Sequence, residues 1–218
     1  DEGIYKIKEK LPSERDLALR FEVSRMTARQ AVSFLEEKGV VYRERGSGTY
    51  VQAPSFEQNN VKSFTKTVGE SGYEVETKII EFSTVHNLAG ISRELDVPLD
   101  SHYYKMKRLR MGNHIPMAYE TLYIPKEFLP GLEDYDLTGS FYQLLDEVYG
   151  INVSTVSNKM EAIIANPIYS KIMELKKPSA LLKITGISYD GEGRKLLYEE
   201  SYYRSDLYNY RVDVKRKY

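Results

Sequence analysis

The first fifty residues pass from a helical rhythm of apolar positions to a strand rhythm. Ser13 stands where a helix N-cap belongs, with Asp16 three residues on in a weak form of the capping box, and a helix follows to about residue 21. After a break at Glu22-Val23, Ser24 caps a second helix that runs to residue 38, and Gly39 supplies its stop. At about 100° per residue, Ala28, Ala31, Val32 and Leu35 of that helix fall on one arc and are expected to face a core. Residues 40–44 then read as a strand, Arg45-Gly46-Ser47-Gly48 as a tight turn able to take positive φ, and residues 49–51 as the returning antiparallel strand.

Residues 52–60 are polar and nearly without period, so 54–60 is assigned as a linker between domains of residues 1–53 and 61–218. The second domain alternates again. Strands are expected near 76–82, 102–110, 116–124, 153–163, 180–189 and 196–204, and helices at 87–95, 141–149 and 169–175. That order predicts an α+β domain with one antiparallel sheet and helices packed on it. A faint internal echo runs through it. A shift of 80 residues lays Pro98 on Pro178 and Tyr123 on Tyr203, which predicts a duplicated helix–hairpin unit with a pocket or cleft on each half.

Composition narrows the chemistry. The 218 residues contain no Cys, which excludes disulfide scaffolds, Cys-ligated zinc and thiol catalysis and fits a reducing, cytoplasmic setting. His86, His102 and His114 show no ligand spacing, so no metal and no other cofactor is expected. No apolar run approaches the roughly 18–20 residues of a membrane span. The chain opens at Asp1 rather than Met and is expected to be part of a longer one. The net charge of -1 speaks against nucleic acid until it is divided. Residues 1–51 carry 10 basic and 9 acidic groups, and their arginines (Arg15, Arg25, Arg29, Arg43, Arg45) are expected to form a patch.

The second helix carries a polar arc of Arg25, Met26, Arg29, Gln30 and Ser33. A solvated face is the commoner fate of one such arc. Here it follows a short helix and turn and precedes a basic, glycine-rich hairpin tip. Arg reads guanine edges and Gln reads adenine edges in the major groove, and Arg45 beside Gly46 can approach phosphates or a minor groove. Leu11-Pro12-Ser13-Glu14-Arg15-Asp16-Leu17-Ala18, Val23-Ser24-Arg25-Met26-Thr27-Ala28-Arg29-Gln30-Ala31 and Gly46-Ser47-Gly48-Thr49-Tyr50-Val51 together resemble the winged helix-turn-helix of GntR-type bacterial regulators. The resemblance implies DNA contacts at Arg15, Arg25, Arg29 and the wing pair Arg45-Gly46, with Ser24 and Thr27 nearby; Ser13 and Gln30 complete the candidate set. It also implies a further helix ahead of Leu11, of which only the Gly3–Lys6 neighbourhood is present, a homodimer, and a palindromic double-stranded operator with half-sites about one helical turn apart.

The second domain resembles the UTRA effector domain of the HutC branch of that family, with a chorismate-lyase-like fold. The residues that carry the likeness are Ser63-Phe64-Thr65, Lys107-Arg108-Leu109-Arg110, Ile115-Pro116-Met117-Ala118-Tyr119-Glu120, Ser140-Phe141-Tyr142 and Tyr203-Arg204-Ser205-Asp206-Leu207-Tyr208. Arg108 and Arg110 lie two apart on a strand and share a face, where two guanidiniums repel unless an anion sits between them. The resemblance implies a small anionic effector, a sugar phosphate first, held by Phe64, Thr65, Arg108, Arg110, Ser140 and Tyr142, with Glu120 taking a hydroxyl or amine. Relatives often place a Glu where this chain has Leu197; Glu199, two further along the same face, is the candidate substitute. A carboxylate effector is the alternative ligand. The tyrosines at 198, 202, 203, 208 and 210 are assigned to sheet and dimer packing. A lyase-type enzyme is the rival function, opposed by the lack of a nucleophile–base pair and by the DNA-reading arm.

Overall fold

The computed structural model describes residues 5, 8–52, 56–58, 61–175 and 178–211, which fall into two compact units, residues 1–55 and 56–218. The expectations for residues 1–4 and 6, and for 54–55 and 59–60 of the assigned linker, lie outside the described residues.

In the first unit, α1 (Glu14–Arg20) starts at Ser13, whose hydroxyl accepts the Asp16 N–H at 3.2 Å and donates to the Asp16 carboxylate at 2.7 Å. The second helix, α2 (Arg25–Glu37), starts at Ser24, which accepts the Thr27 N–H at 3.0 Å. Gly39 ends it at φ 68°, a left-handed conformation that costs glycine little. Ala28 and Val32 are buried and Leu35 half-buried, but Ala31 is exposed, contrary to the expected arc. The buried stripe is narrow because only the short α1 and the following strand cover it. That strand, β1 (Val41–Glu44), pairs antiparallel with β2 (Gly48–Val51) across a turn where Gly46 takes φ 78°. The segment before α1 lines the hairpin edge through Leu11 N–H to Thr49 O at 2.8 Å.

The second unit opens with β3 (Phe56–Gln58) and α3 (Phe64–Gly69), neither expected from periodicity. It continues through β4 (Val75–His86), α4 (Ala89–Leu95), β5 (His102–Gly112), β6 (Ile115–Pro125), α5 (Phe141–Tyr149) and β7 (Val153–Ile164). The last elements are α6 (Pro167–Ile172), β8 (Ala180–Asp190), β9 (Lys195–Arg204) and β10 (Tyr208–Tyr210). Six strands form one antiparallel sheet in the order β4-β5-β6-β9-β8-β7. β10 pairs separately, and parallel, with β3. Residues 56–58 are therefore part of the second body and not linker. The last short helix begins earlier than expected because Asn166 caps it, accepting the Tyr169 N–H at 2.9 Å, and Pro167 fills its first turn.

Strand order makes the sheet two strand–helix–hairpin halves that meet at β6 and β9, as the echo suggests. The residue-level shift of 80 fails, however. Tyr123 pairs with Tyr198 and Ala118 with Tyr203, so Tyr123 and Tyr203 lie on opposite faces. One face carries α5, whose Phe141 and Leu145 pack on Tyr104, Met106, Leu122, Ile124 and Leu197. The other carries α6 over Leu109, Tyr119, Leu181 and Tyr202, and α4, whose Ser92 hydroxyl bonds the buried Tyr103 hydroxyl at 2.6 Å. Leu145→Ala should cost about 2–5 kcal/mol of the second unit's stability in urea unfolding, whereas Gln143→Ala, on the helix's outer side, should stay within about 0.5 kcal/mol.

Candidate effector cavity and DNA-reading face

The face of the sheet beneath α3 and α5 holds a cavity of about 60 Å³ that draws on both halves of the sheet. β5 and β6 supply its two arginines and Glu120. Their register sets Arg108 opposite Glu120, and Arg110 lies two residues along the same face. All three side chains are no more than 7 % exposed. One carboxylate oxygen, Glu120 Oε1, lies 2.8 Å from both Arg108 Nε and Arg110 Nη1. The Nε–H groups of Arg108 and Arg110 nevertheless find no hydrogen-bond acceptor in line among the described residues. Arg110 Nη2 donates to the Thr65 hydroxyl at 2.7 Å, and Arg108 Nη1 makes only long bonds, 3.4 Å, to the carbonyls of Leu137 and Gly139. Phe64 and Phe141 lie beneath the guanidiniums at 4.8 and 5.7 Å.

Glu120 therefore sits where an anion between two arginines was expected. Besides the hydroxyl or amine contact expected of it, it supplies charge balance, because Arg108 faces it directly across the hairpin. Burial raises its pKa, but the two guanidiniums outweigh that and hold the carboxyl below its ordinary range. Burial lowers the pKa of Arg108. Glu199, on β9, also lines the cavity. Burial and the neighbouring Glu120 push its carboxyl up to about 7. Two guanidiniums thus face one carboxylate held ionised, and the cavity carries an excess of positive charge only while Glu199 is protonated.

The other effector candidates divide between two spaces. Phe64, Arg108, Arg110, Glu120, Tyr142 and Glu199 line the inner cavity. Thr65 and Ser140 line an adjoining outer cleft of about 430 Å³, which shares Tyr142 and the 61–63 segment with it. Ser140 Oγ also caps α5, accepting from the Gln143 N–H at 3.4 Å. The tyrosine assignment gains a second part: Tyr203 and Tyr208 pack ring on ring at 4.5 Å, and Tyr203, Tyr208 and Tyr210 also line the cavity. Tyr203 was detectable, since 199, 201 and 203 share a strand face; Tyr208 and Tyr210 depend on β10, which no period announced.

In the first unit, Arg15, Arg25, Arg29, Gln30, Arg45 and Gly46 are exposed. Arg43 leaves the expected patch, because Glu36 and Glu14 hold it at 2.9 and 3.2 Å. Ser13 and Ser24 serve as caps, and the Thr27 hydroxyl is 2.8 Å from that of Ser24. Removing Glu120's charge should leave two buried guanidiniums facing each other. Glu120→Gln should cost about 3–5 kcal/mol in urea unfolding, and added sulfate should recover part of the loss.

Residues 1–51 match the family of bacterial regulatory proteins named gntR, and residues 70–209 match the UTRA domain. Among characterised relatives, the chain is 31% identical over 202 residues to the HTH-type transcriptional repressor NagR of Bacillus subtilis, spanning 92% of this chain and 83% of that one. It is 26% identical over 218 residues to a probable fructoselysine utilization operon transcriptional repressor of Shigella flexneri, spanning 99% and 89%. The fold matches the crystal structure of PhnF from Mycobacterium smegmatis with a TM-score of 0.78 at 23% identity, over 98% of this chain and 95% of that one. Among the described residues no helix is long and apolar enough to cross a membrane. Both domains, in this order and over nearly the whole chain, mark it as a transcriptional regulator and not an enzyme: it belongs to the GntR family, in the HutC-type branch that joins a winged helix-turn-helix to a UTRA domain.

Proposed function

We propose that this chain is a cytoplasmic, homodimeric repressor whose hold on a palindromic operator is set by a small anionic effector, a sugar phosphate in first place. The observation that carries the effector class is the pair of buried guanidiniums sharing a single carboxylate oxygen. Buried cations are costly without counter-charge, and planar Arg forks suit phosphoryl oxygens. The repressor assignment is supported by relatives described as repressors, among them the mannosyl-D-glycerate transport/metabolism system repressor MngR of Escherichia coli, 23% identical over 217 residues.

Base reading falls to Arg25, Arg29 and Gln30 on the exposed side of α2, and backbone contact to Arg15 and the Arg45-Gly46 tip. Ser13, Ser24 and Thr27 present the helix starts. A two-fold axis doubles the few base pairs that one α2 can read. The route from effector to DNA starts at the cavity wall. Residues 61–64 line the cavity and follow closely on β3, the first element of the sensor unit. The cavity is narrow, so an occupant larger than a few waters requires its walls to move. A coupling of about 1–3 kcal/mol through this segment changes operator affinity about 5–150-fold.

A panel of sugar phosphates and small carboxylates, read by thermal shift, tests the effector class. Phosphate esters should raise the melting temperature of the wild type but not of Arg108→Ala, and a response confined to carboxylates would move the effector to that class. For DNA, Arg29→Ala should lose about 1–3 kcal/mol of operator binding and relax preference at one base pair. Equal loss on operator and random duplex would reduce Arg29 to a phosphate contact.

A further inference from the structure

The sensor cavity holds a second carboxyl for which the charge balance has no partner. Arg108 and Arg110 form their ion pairs with Glu120, 2.8 Å away on both sides, and Arg110 also donates to Thr65 at 2.7 Å. Glu199 accepts a hydrogen bond from the Ser201 hydroxyl through Oε1, and no hydrogen bond or ion pair reaches its other oxygen among the described residues. Its strand neighbour on β8 is Gly186, which offers no side chain to solvate it. An anion drawn to the guanidiniums therefore enters a space that already contains two carboxyl groups.

We propose that an effector anion enters this cavity together with one proton, which Glu199 holds, so that anion binding is a proton-uptake event. This inference rests on the anion-binding reading of the cavity and adds a stoichiometry to it. The proton comes from solvent, forms an O–H bond on Glu199, and no other bond changes. The neutral acid then removes one of two negative charges facing the incoming anion and becomes a hydrogen-bond donor to it. An ionised Glu199, half-buried in the same cavity, would instead add its repulsion to that of Glu120.

The surrounding groups leave Glu199 as the group that titrates near neutrality. Glu120 on β6 is held ionised by Arg108 and Arg110 on β5. Burial raises the phenols of Tyr142 on α5, Tyr203 on β9, and Tyr208 and Tyr210 on β10, so they stay neutral. Lys62, at the rim before α3, lies 2.8 Å from Glu70. β7 and β8 bring only uncharged lining residues, Val156, Asn158 and Ile184, and none of the three histidines lines the cavity. Glu199's carboxyl sits at about 7, raised by burial and by Glu120. A raised carboxyl favours the folded protein with the proton on, so its contribution to stability is present below about pH 4.5 and lost as pH rises through about 7. A bound anion moves that loss to higher pH.

Inorganic sulfate is the probe, because its charge is fixed across the range of interest. Sulfate affinity of the wild type, measured by calorimetry at constant ionic strength, should fall about tenfold or more between pH 6 and pH 8.5. Glu199→Gln should flatten that slope, whatever its absolute affinity. Titration of the wild type near pH 7.5 in two buffers of different ionisation heat should show uptake approaching one proton per sulfate, a readout that requires no variant to fold. Sulfate binding that Arg108→Ala abolishes, but that is flat with pH and takes up no proton, would overturn the proposal and leave the anion site standing. No Arg108-dependent sulfate binding at any pH would overturn both.

Discussion

One carboxylate oxygen between two buried guanidiniums sets the terms for the sensor unit. Taken out of water, Arg108 and Arg110 would repel each other, and Glu120 relieves that repulsion only because the β5–β6 register places it opposite Arg108. The register is not free to slip. A one-residue shift would send Glu120 to the α6 face and leave both cations uncompensated. The central hairpin is thus pinned by charge as well as by the apolar residues on either side, Met106 and Leu122 under α5 and Tyr119 under α6. The same arrangement leaves the arginines under-satisfied. One cluster therefore both ties the hairpin together and keeps unspent donor capacity, in the two Nε–H groups, within the cavity.

Much of the framework was legible because long alternating strands and well-capped helices carry strong local signals. α5 runs over the expected residues, and the six long strands lie where alternation placed them, give or take their ends. Local signals failed where an element exists only through a distant partner. β3 and β10 are three residues each and pair across about 150 positions of sequence, so residues 56–58 read as linker and Tyr208 as packing. Two side-chain pairings were hidden for a related reason. Arg43 looks like part of a basic patch until the fold brings Glu14 and Glu36 to it, and the pairing of Glu120 with both arginines is invisible until the hairpin register is known. Residue type announced charge; pairing decided what the charge does.

The sheet repeats its topology without repeating its chemistry. Each half is strand, helix and hairpin, yet the arginines stand on β5 while the corresponding positions of β8 carry Ile184 and Gly186 toward the same face. One half brings charge, and the other brings Glu199, Tyr203 and apolar wall. Such a division lets the two sides of one cavity vary separately, the arginines on one and the hydroxyl-bearing and apolar walls on the other.

The parallel pairing of β3 with β10 also bears on how these proteins can be recombined. Phe56, buried in the sensor unit, belongs to a strand whose partner carries two walls of the cavity. A sensor transplanted onto a foreign DNA-reading domain from residue 61 onward would leave β10 without its neighbour and Tyr208 and Tyr210 without their backing. A junction ahead of Phe56 keeps β3 and β10 paired and the cavity wall whole.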